Sequence, residues 1–536
     1  MKNYGYLLSY FKRKKVCALF ALMLFSSFIT LCPPFITRIL LDYGIARLSI
    51  KTVLLSGIGL LFVYIINFFA NYLISQSLIR TSNYFVADIK NDLISKVLKL
   101  PMEFFDKQQT GYILERVKET DSLNVFFSPV FLKFLTSIFS CVGAWIFILS
   151  IRWELSLILI IFLPVLYYFT NYSSIQIKKV SKALLESNAQ TSGKIQENIG
   201  GISTIKEMNL EKQRSNEMAK QIRNVADQSI KRNKKMNLAS EGIQGFTNIF
   251  SVLLIICSGL FIINGKMSMG DYWAVSQYAT VIFAPIQILA SISVMVQPGT
   301  AALSRIGTIL RLKTENEIEG KRKIEKVTKV SFTDVSFGYT NHNVIQDFNM
   351  VIHKNEKIAL LGKNGSGKTT IAKLLMGFYK NYKGSIKINN IELKEISLSD
   401  LREKIGIVAQ NIVLFSGTLI DNLMYAAPQL TENKITSILQ KAGLDMSEFE
   451  NGLKTIISEN GKNLSGGQRQ KIAFARMIIK NPDVVIFDEA TSNLDVDTQE
   501  LVRESVNILF ADKICIIITH DSHMAEIANS IVRLSE

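Results

Sequence analysis

Paired cysteines are missing from this sequence. Its five cysteines (Cys17, Cys32, Cys141, Cys257 and Cys515) include no CxxC pair. Four of them lie in or beside apolar runs, which indicates neither a disulfide framework nor a zinc site; they read as small buried hydrophobes. Proline is also scarce in the two long polar stretches at about 78–125 and 176–240, which leaves both free to be helical. Acidic residues are outnumbered, 45 against 61 Lys and Arg, for a net charge of +16. Such a balance suits either a nucleic-acid partner or the cytoplasmic loops of a membrane protein, and the positions of the cations decide between them.

The chain has 536 residues, 48% of them hydrophobic, and a mean hydropathy of +0.23. It is too long for one ordinary domain and too apolar for a wholly soluble one. Six segments can each cross roughly 30 Å of hydrocarbon: about 16–43, 53–77, 126–150, 155–175, 241–264 and 271–297. The first follows Lys12–Lys15 as in a signal peptide, but its apolar run continues through Pro33 and Pro34 to Leu41, so it reads as a membrane helix. Loops after the first, third and fifth spans are short. Those after the second and fourth are long, and thirteen Lys and Arg lie between Lys178 and Lys235 against Lys266 alone between spans five and six. Both termini and both long loops are therefore expected in the cytoplasm, and membrane topology rather than nucleic acid accounts for the charge. The loops are expected to continue the spans as cytoplasmic helical levers.

The expected organisation is a transmembrane domain over 1–312, a polar linker over 313–325 and a soluble α/β domain over 326–536. Within the last, "KIALLGKNGSGKTTIAKLL" places Gly362, Lys363, Asn364, Gly365, Ser366, Gly367, Lys368 and Thr369, followed by Thr370, between an apolar strand and an amphipathic helix. This is the GxxxxGK[ST] phosphate loop in its required context. Its amides can curl around a β-phosphate, Lys368 can reach β and γ oxygens, and Thr369 can offer a hydroxyl to Mg²⁺. "DVVIFDEATSNLD" delivers Asp488, suited to the metal, at the end of a buried strand, and Glu489 beside it as a general base for water.

A third stretch, "KNLSGGQRQK" at 462–471, has a serine and two glycines but no carboxylate, metal ligand or nucleophile pair. With the phosphate loop, "LSGGQ" and "VVIFDE" in this order, residues 325–536 resemble the ATP-binding cassette superfamily. The resemblance implies that Ser465, Gly466, Gly467 and Gln468 serve the γ-phosphate of ATP held by a second copy, two cassettes closing head to tail. It also implies that Tyr339 stacks on adenine, Gln410 meets Mg²⁺ and the attacking water, His520 contacts the γ-phosphate, and Asp495 communicates between the two sites. Thr519-His520-Asp521 and Asn493 depart from common family residues without removing a chemical group.

Six spans ahead of a cassette resemble a half-size exporter: a membrane all-α six-helix domain of ABC exporter type plus an α/β P-loop NTPase cassette. "EFFDKQQTGYILERVKETD" (103–121) and "QENIGGISTIKEMNLE" (196–211) resemble its loop signatures, implying short coupling helices near Arg116–Leu123 and Gly200–Asn209. Polar side chains at helical spacing (Tyr64, Asn67, Asn71 and Ser75; Gln244, Asn248 and Ser251; Gln277 and Thr280) are read as helix-to-helix contacts or cavity lining in equal measure. Arg38 and Asp42 are expected to satisfy each other, and Lys133 to face a cavity or a carboxylate. The expected protein is a homodimeric, ATP-hydrolysing exporter in a bacterial cell membrane, bathed in lipid and binding no nucleic acid. Its cargo is amphipathic, with a lean to peptide over drug or lipid, and no protease domain precedes the first span to trim a leader. An ATP-gated channel or sensor, or an importer, are the alternatives on the same fold.

Overall fold

The computed structural model describes residues 13–108, 110–339, 342–363, 365–426, 430–442, 444, 446–490, 496–520 and 522–534. The chain divides into two compact units. One comprises Met1–Val97 with Gly111–Arg311, the other Leu98–Thr110 with Leu312–Glu536. Residues 98–110, which by sequence belong to the loop after the second span, thus pack with the cassette half.

Six long helices build the first unit: α1 (Arg13–Ile39), α2 (Ile50–Val97), α3 (Pro129–Ile151), α4 (Trp153–Gly200), α5 (Glu211–Ile263) and α6 (Met269–Leu310). Among the described residues, the helical segments Cys17–Ile45, Ile50–Val97, Gly111–Ile151, Trp153–Gly200 and Glu211–Ile263 are long and apolar enough to cross a membrane. The side chains at 290, 291, 293 and 294 of α6 lie outside the described set. At 1.5 Å per residue, the 48 residues of α4 and 53 of α5 give lengths of about 70–80 Å, more than twice the hydrocarbon thickness. The polar loops are thus continuous extensions of the spans, as their low proline content allows. Along α5 the buried positions are Ala239, Ile243, Thr247, Phe250, Leu254 and Ser258. Their three- and four-residue spacing makes one stripe on one face. Phe250 meets Phe283 edge-on at 4.9 Å and Phe162 at 5.3 Å, which fixes the packing of α4, α5 and α6.

The expected pair of Arg38 and Asp42 forms, but each has a closer partner. Arg38 lies 4.0 Å from Asp42 but 2.6 Å from Asp271. Asp42 instead accepts from the Ser268 hydroxyl and the Gly270 amide at 2.6 and 2.9 Å, because the start of α6 offers it unpaired donors. The segment Arg116–Leu123 is helical, running from the helix Thr110–Glu119 into the 3-10 helix Thr120–Phe127. Arg116 is buried and paired with Glu119, Glu119 also holds Arg305 at 2.7 Å, and Leu123 is fully buried. Residues Gly200–Asn209 do contain a short helix, Ile202–Glu207, with Ile202 and Met208 exposed. Lys133 is exposed and forms no ion pair among the described residues.

Among the described residues the second unit has eleven strands: β1 (Lys329–Phe337), β2 (Ile345–His353), β3 (Lys357–Leu361), β4 (Lys383–Ile388), β5 (Ile391–Glu392), β6 (Ile405–Val408), β7 (Gly417–Thr418), β8 (Ile456–Ile457), β9 (Val484–Asp488), β10 (Ile514–Ile518) and β11 (Ser530–Arg533). One sheet is antiparallel, β2-β1-β4-β5; the central one runs β11-β3-β10-β9-β6, all parallel. Its strands are apolar throughout because both faces are covered. Val484 and Ile486 enter one core with Ile514, Ile516 and Ile518, while Val485 and Phe487 enter the other with Cys515 and Ile517. Burial pushes the Cys515 thiol up to about 12, so this cysteine is the inert hydrophobe its surroundings suggest.

The polar linker is anchored to this unit. Arg402 forms a two-pronged pair with Glu315 at 2.7 and 2.9 Å, Glu319 accepts from the Leu398 amide at 2.9 Å, and Ile324 is buried in the core.

Candidate nucleotide site

Parallel pairing aligns the carboxyl ends of three strands. Leu360 of β3 and Asp488 of β9 both stand beside Ile518 of β10, so the phosphate loop after β3, the acids ending β9 and His520 beyond β10 emerge together. Ligands of open α/β sheets collect at that edge.

The loop leads into helix α7 (Lys368–Leu375). Gly367, its N-cap, has φ +89 and Gly365 has φ +88, conformations that cost an L side chain strain. A Cβ on Gly362 would stand 2.6 Å from the Ser366 hydroxyl, so glycine is also needed there for close approach. Lys368 is buried and its Nζ donates to the carbonyls of Gly362 and Lys363 at 2.7 and 2.8 Å. The Ser366 Oγ is buried and has no hydrogen-bond partner among the described residues. A buried hydroxyl of this kind carries a desolvation cost unless something binds it, and a phosphate oxygen at the start of α7 would do so. Asn364 lies outside the described residues.

Asp488 is buried and accepts from the Thr369 hydroxyl at 3.1 Å. Desolvation, with the neighbouring Glu489 charge, pushes its carboxyl above the usual carboxylate range against the opposing help of Thr369 and Lys368. Glu489 leaves the strand with φ +51, a left-handed conformation uncommon outside glycine and found where function holds strain. This turn separates two adjacent carboxylates into different surroundings. Gln410 Nε2 donates to Glu489 Oε2 at 2.5 Å, and His520 Nδ1 stands 3.5 Å from Glu489 Oε1. A cavity of about 550 Å³ is lined by Tyr339, Val344, Gly365, Gly367, Lys368, Thr369, Thr370, Gln410, Glu489 and His520. The cavity thus brings together nine of the residues the sequence picks out between Tyr339 and His520.

Tyr339 is 40% exposed, and its ring is fixed by a hydroxyl contact with Thr370 Oγ1 at 3.2 Å and an edge contact with Phe337 at 5.2 Å. Val344 joins the lining although sequence reasoning passes over it; an aliphatic between a turn and a strand carries no chemical signature. Asp495 lies outside the described residues. Ser465, Gly466, Gly467 and Gln468 do not line the cavity. Ser465 is the N-cap of helix α8 (Gly466–Lys480): its Oγ accepts from the Gln468 amide at 3.1 Å, and Gln468 Oε1 accepts from the Ser465 amide at 3.0 Å. That reciprocal box shapes an exposed helix start with its amides facing outward and the serine proton free to donate.

The fold and this site define an ATP-binding cassette joined to an exporter-type helical domain. The family description "ABC transporter transmembrane region" matches residues 16–286, just over half the chain, and "ABC transporter" matches residues 345–492. The chain belongs to the ABC transporter family, whose members hydrolyse ATP to drive transport, and it is a multi-pass membrane protein. It is 29% identical over 529 residues to YwjA, an uncharacterised ABC transporter ATP-binding protein of Bacillus subtilis (strain 168), covering 96% of this chain and 90% of that one. It is 28% identical over 499 residues to an ATP-dependent lipid A-core flippase of Francisella novicida, covering 91% and 84% respectively. Among solved structures, a bacterial Atm1-family ABC exporter with ATP bound superposes with a TM-score of 0.82 at 21% identity, over 98% of this chain and 93% of that one.

Proposed function

We propose that two copies of this chain form an ATP-driven exporter of an amphipathic substrate, with each nucleotide closed between the cavity of one copy and the Ser465 helix start of the other. The observation that carries this reading is the division of the site. One cassette gathers Lys368, Thr369, Asp488, Gln410, Glu489 and His520 around a cavity, while the serine and amides suited to a γ-phosphate stand elsewhere on the same cassette.

In this reading Tyr339 carries the base, the loop from Gly362 to Thr370 cradles the phosphates, and Lys368 exchanges its carbonyl partners for phosphate oxygens. Thr369 and Asp488, 3.1 Å apart, are an oxygen donor pair that fits Mg²⁺, with Gln410 alongside; when bound, the ion neutralises phosphate charge. Glu489, already oriented by Gln410 and His520, takes the proton of the attacking water. Ser465 and the Gly466 and Gly467 amides of the second copy bind the oxygens on which charge grows. The Gly200–Asn209 segment, with its exposed Ile202 and Met208, serves as a coupling element between cassette and spans, and Asp495 links the two sites. The cassette and both termini are cytoplasmic, in a bacterial membrane.

For cargo, the polar stripe of α5 supports a wet surface. Gln244, Asn248 and Ser251 are exposed, off the buried stripe, and Gln244 donates to Asn248 at 3.0 Å. The α2 stripe serves packing in part: Asn71 accepts from Ser26 on α1 at 3.2 Å and donates to Asn67 at 2.8 Å. A wet, aromatic-rich surface suits either a peptide or a lipid-like amphiphile; the lipid A-core flippases among the relatives favour the lipid.

The experiment is transport into inside-out vesicles with external ATP, using fluorescent lipids and peptides. Accumulation of an amphiphile is expected, and Glu489→Gln vesicles should bind ATP but turn over about 10²–10⁴-fold more slowly. Loss of substrate from the vesicles, or full turnover in the variant, contradicts the proposal.

A further inference from the structure

We propose that Asp106 is a positioning residue for the nucleotide base, acting through Tyr379 on the ring of Tyr339. Asp106 lies in the short helix Met102–Lys107, within the 98–110 segment that packs with the cassette, where Met102 rests on the cassette core. Tyr379, in the turn after α7, is buried to 2% exposure. Its hydroxyl donates to Asp106 Oδ2 at 2.5 Å. Its ring meets Tyr339 edge-on, with centroids 5.3 Å apart and planes at 88°, and leans on Phe337 at 5.1 Å.

A buried phenol needs an acceptor. Here the acceptor is a carboxylate reached across 273 positions of sequence, and an O–H to carboxylate bond is among the shorter and stronger kinds. Burial and then the hydrogen bond to Asp106 raise the phenol's pKa, so Tyr379 keeps the proton it donates. Tyr339 is consequently held from two directions: its hydroxyl by Thr370 on α7, and its ring by Tyr379 and Phe337. Tyr339 itself lines the cavity, and Lys373 Nζ stands over its ring, 5.6 Å from the ring centre. Because residue 98 directly follows the last residue of α2, the group that steadies the base platform is carried on the chain leaving the second membrane helix. A shift of that segment would alter the grip on the base.

The inference rests on the reading of Tyr339 as the base platform, and the test separates the two. In full-length protein in lipid, ATPase KM and kcat are measured for Asp106→Ala, Tyr379→Phe, Tyr339→Ala and the double variants. Asp106→Ala and Tyr379→Phe should each raise KM about fivefold with kcat changed less than about twofold, and neither should raise it further in the Tyr339→Ala background, where the platform is gone. Tyr379→Phe keeps the ring and its packing, so it decides the matter if Asp106→Ala fails to fold. A KM held within about twofold in both single variants while Tyr339→Ala raises it overturns the relay alone. Equal increases with and without Tyr339 make Asp106 a packing residue and also overturn it. An unchanged KM in Tyr339→Ala overturns the platform reading, and the relay with it.

Discussion

Asp488 and Glu489 are covalent neighbours with opposite surroundings, and the difference comes from one backbone residue. Asp488 completes a buried strand, while the left-handed φ of Glu489 turns the next carboxylate toward Gln410 and His520. The folded protein binds the Asp488 proton more tightly than the unfolded chain does, since burial raises that group's pKa. The cost of its charge is therefore in full force above the folded pKa and is relieved as pH falls through it toward the unfolded value. Asp488→Asn should raise the melting temperature of the nucleotide-free protein near neutral pH by about 2–4 °C, the effect of about 1 kcal/mol in a domain of this size. The gain should shrink on acidification, and ATPase activity should be lost. Melting curves across a pH series check this; a loss of stability at neutral pH, or a gain that grows with acidity, contradicts it.

At the scale of elements, the start of α8 combines capping with its proposed ligand role, and the two can be separated. Ser465→Asp keeps a good N-cap acceptor, so stability should change by less than about 0.5 kcal/mol, yet it sets a negative charge where phosphate would approach. ATPase activity should fall by about 10²-fold or more, whereas Ser465→Ala should cost both about 1 kcal/mol of stability and the activity. Retained turnover in Ser465→Asp reduces this serine to a cap. The phosphate loop and the Asp488 strand were legible because their chemistry is contiguous: strand, glycines and helix follow one another, and only backbone geometry has to be added. What could not be read depends on pairs distant in sequence. Nothing near Arg38 announces Asp271, nothing in "EFFD" announces Tyr379, and Arg116 looks like a surface cation until Glu119 and the burial around it are seen. The linker's contacts were hidden for a related reason. Its polar composition hid Glu315 and Ile324, one matched to Arg402 and the other to the core.

At the scale of the whole molecule, the chain passes between the unit of long helices and the cassette unit after Val97, after Thr110 and after Arg311, and the segments 98–110 and 312–325 both belong to the cassette unit. Glu315 and Asp106 are among the side chains that fasten them. The central claim remains that one copy holds only part of each site. Nanodiscs prepared to contain either one or two copies, sorted and counted by single-molecule bleaching, test it most directly through their ATPase rate per copy. The account predicts hydrolysis near background with one copy and full turnover with two, both at saturating ATP; equal rates per copy in the two preparations would contradict it.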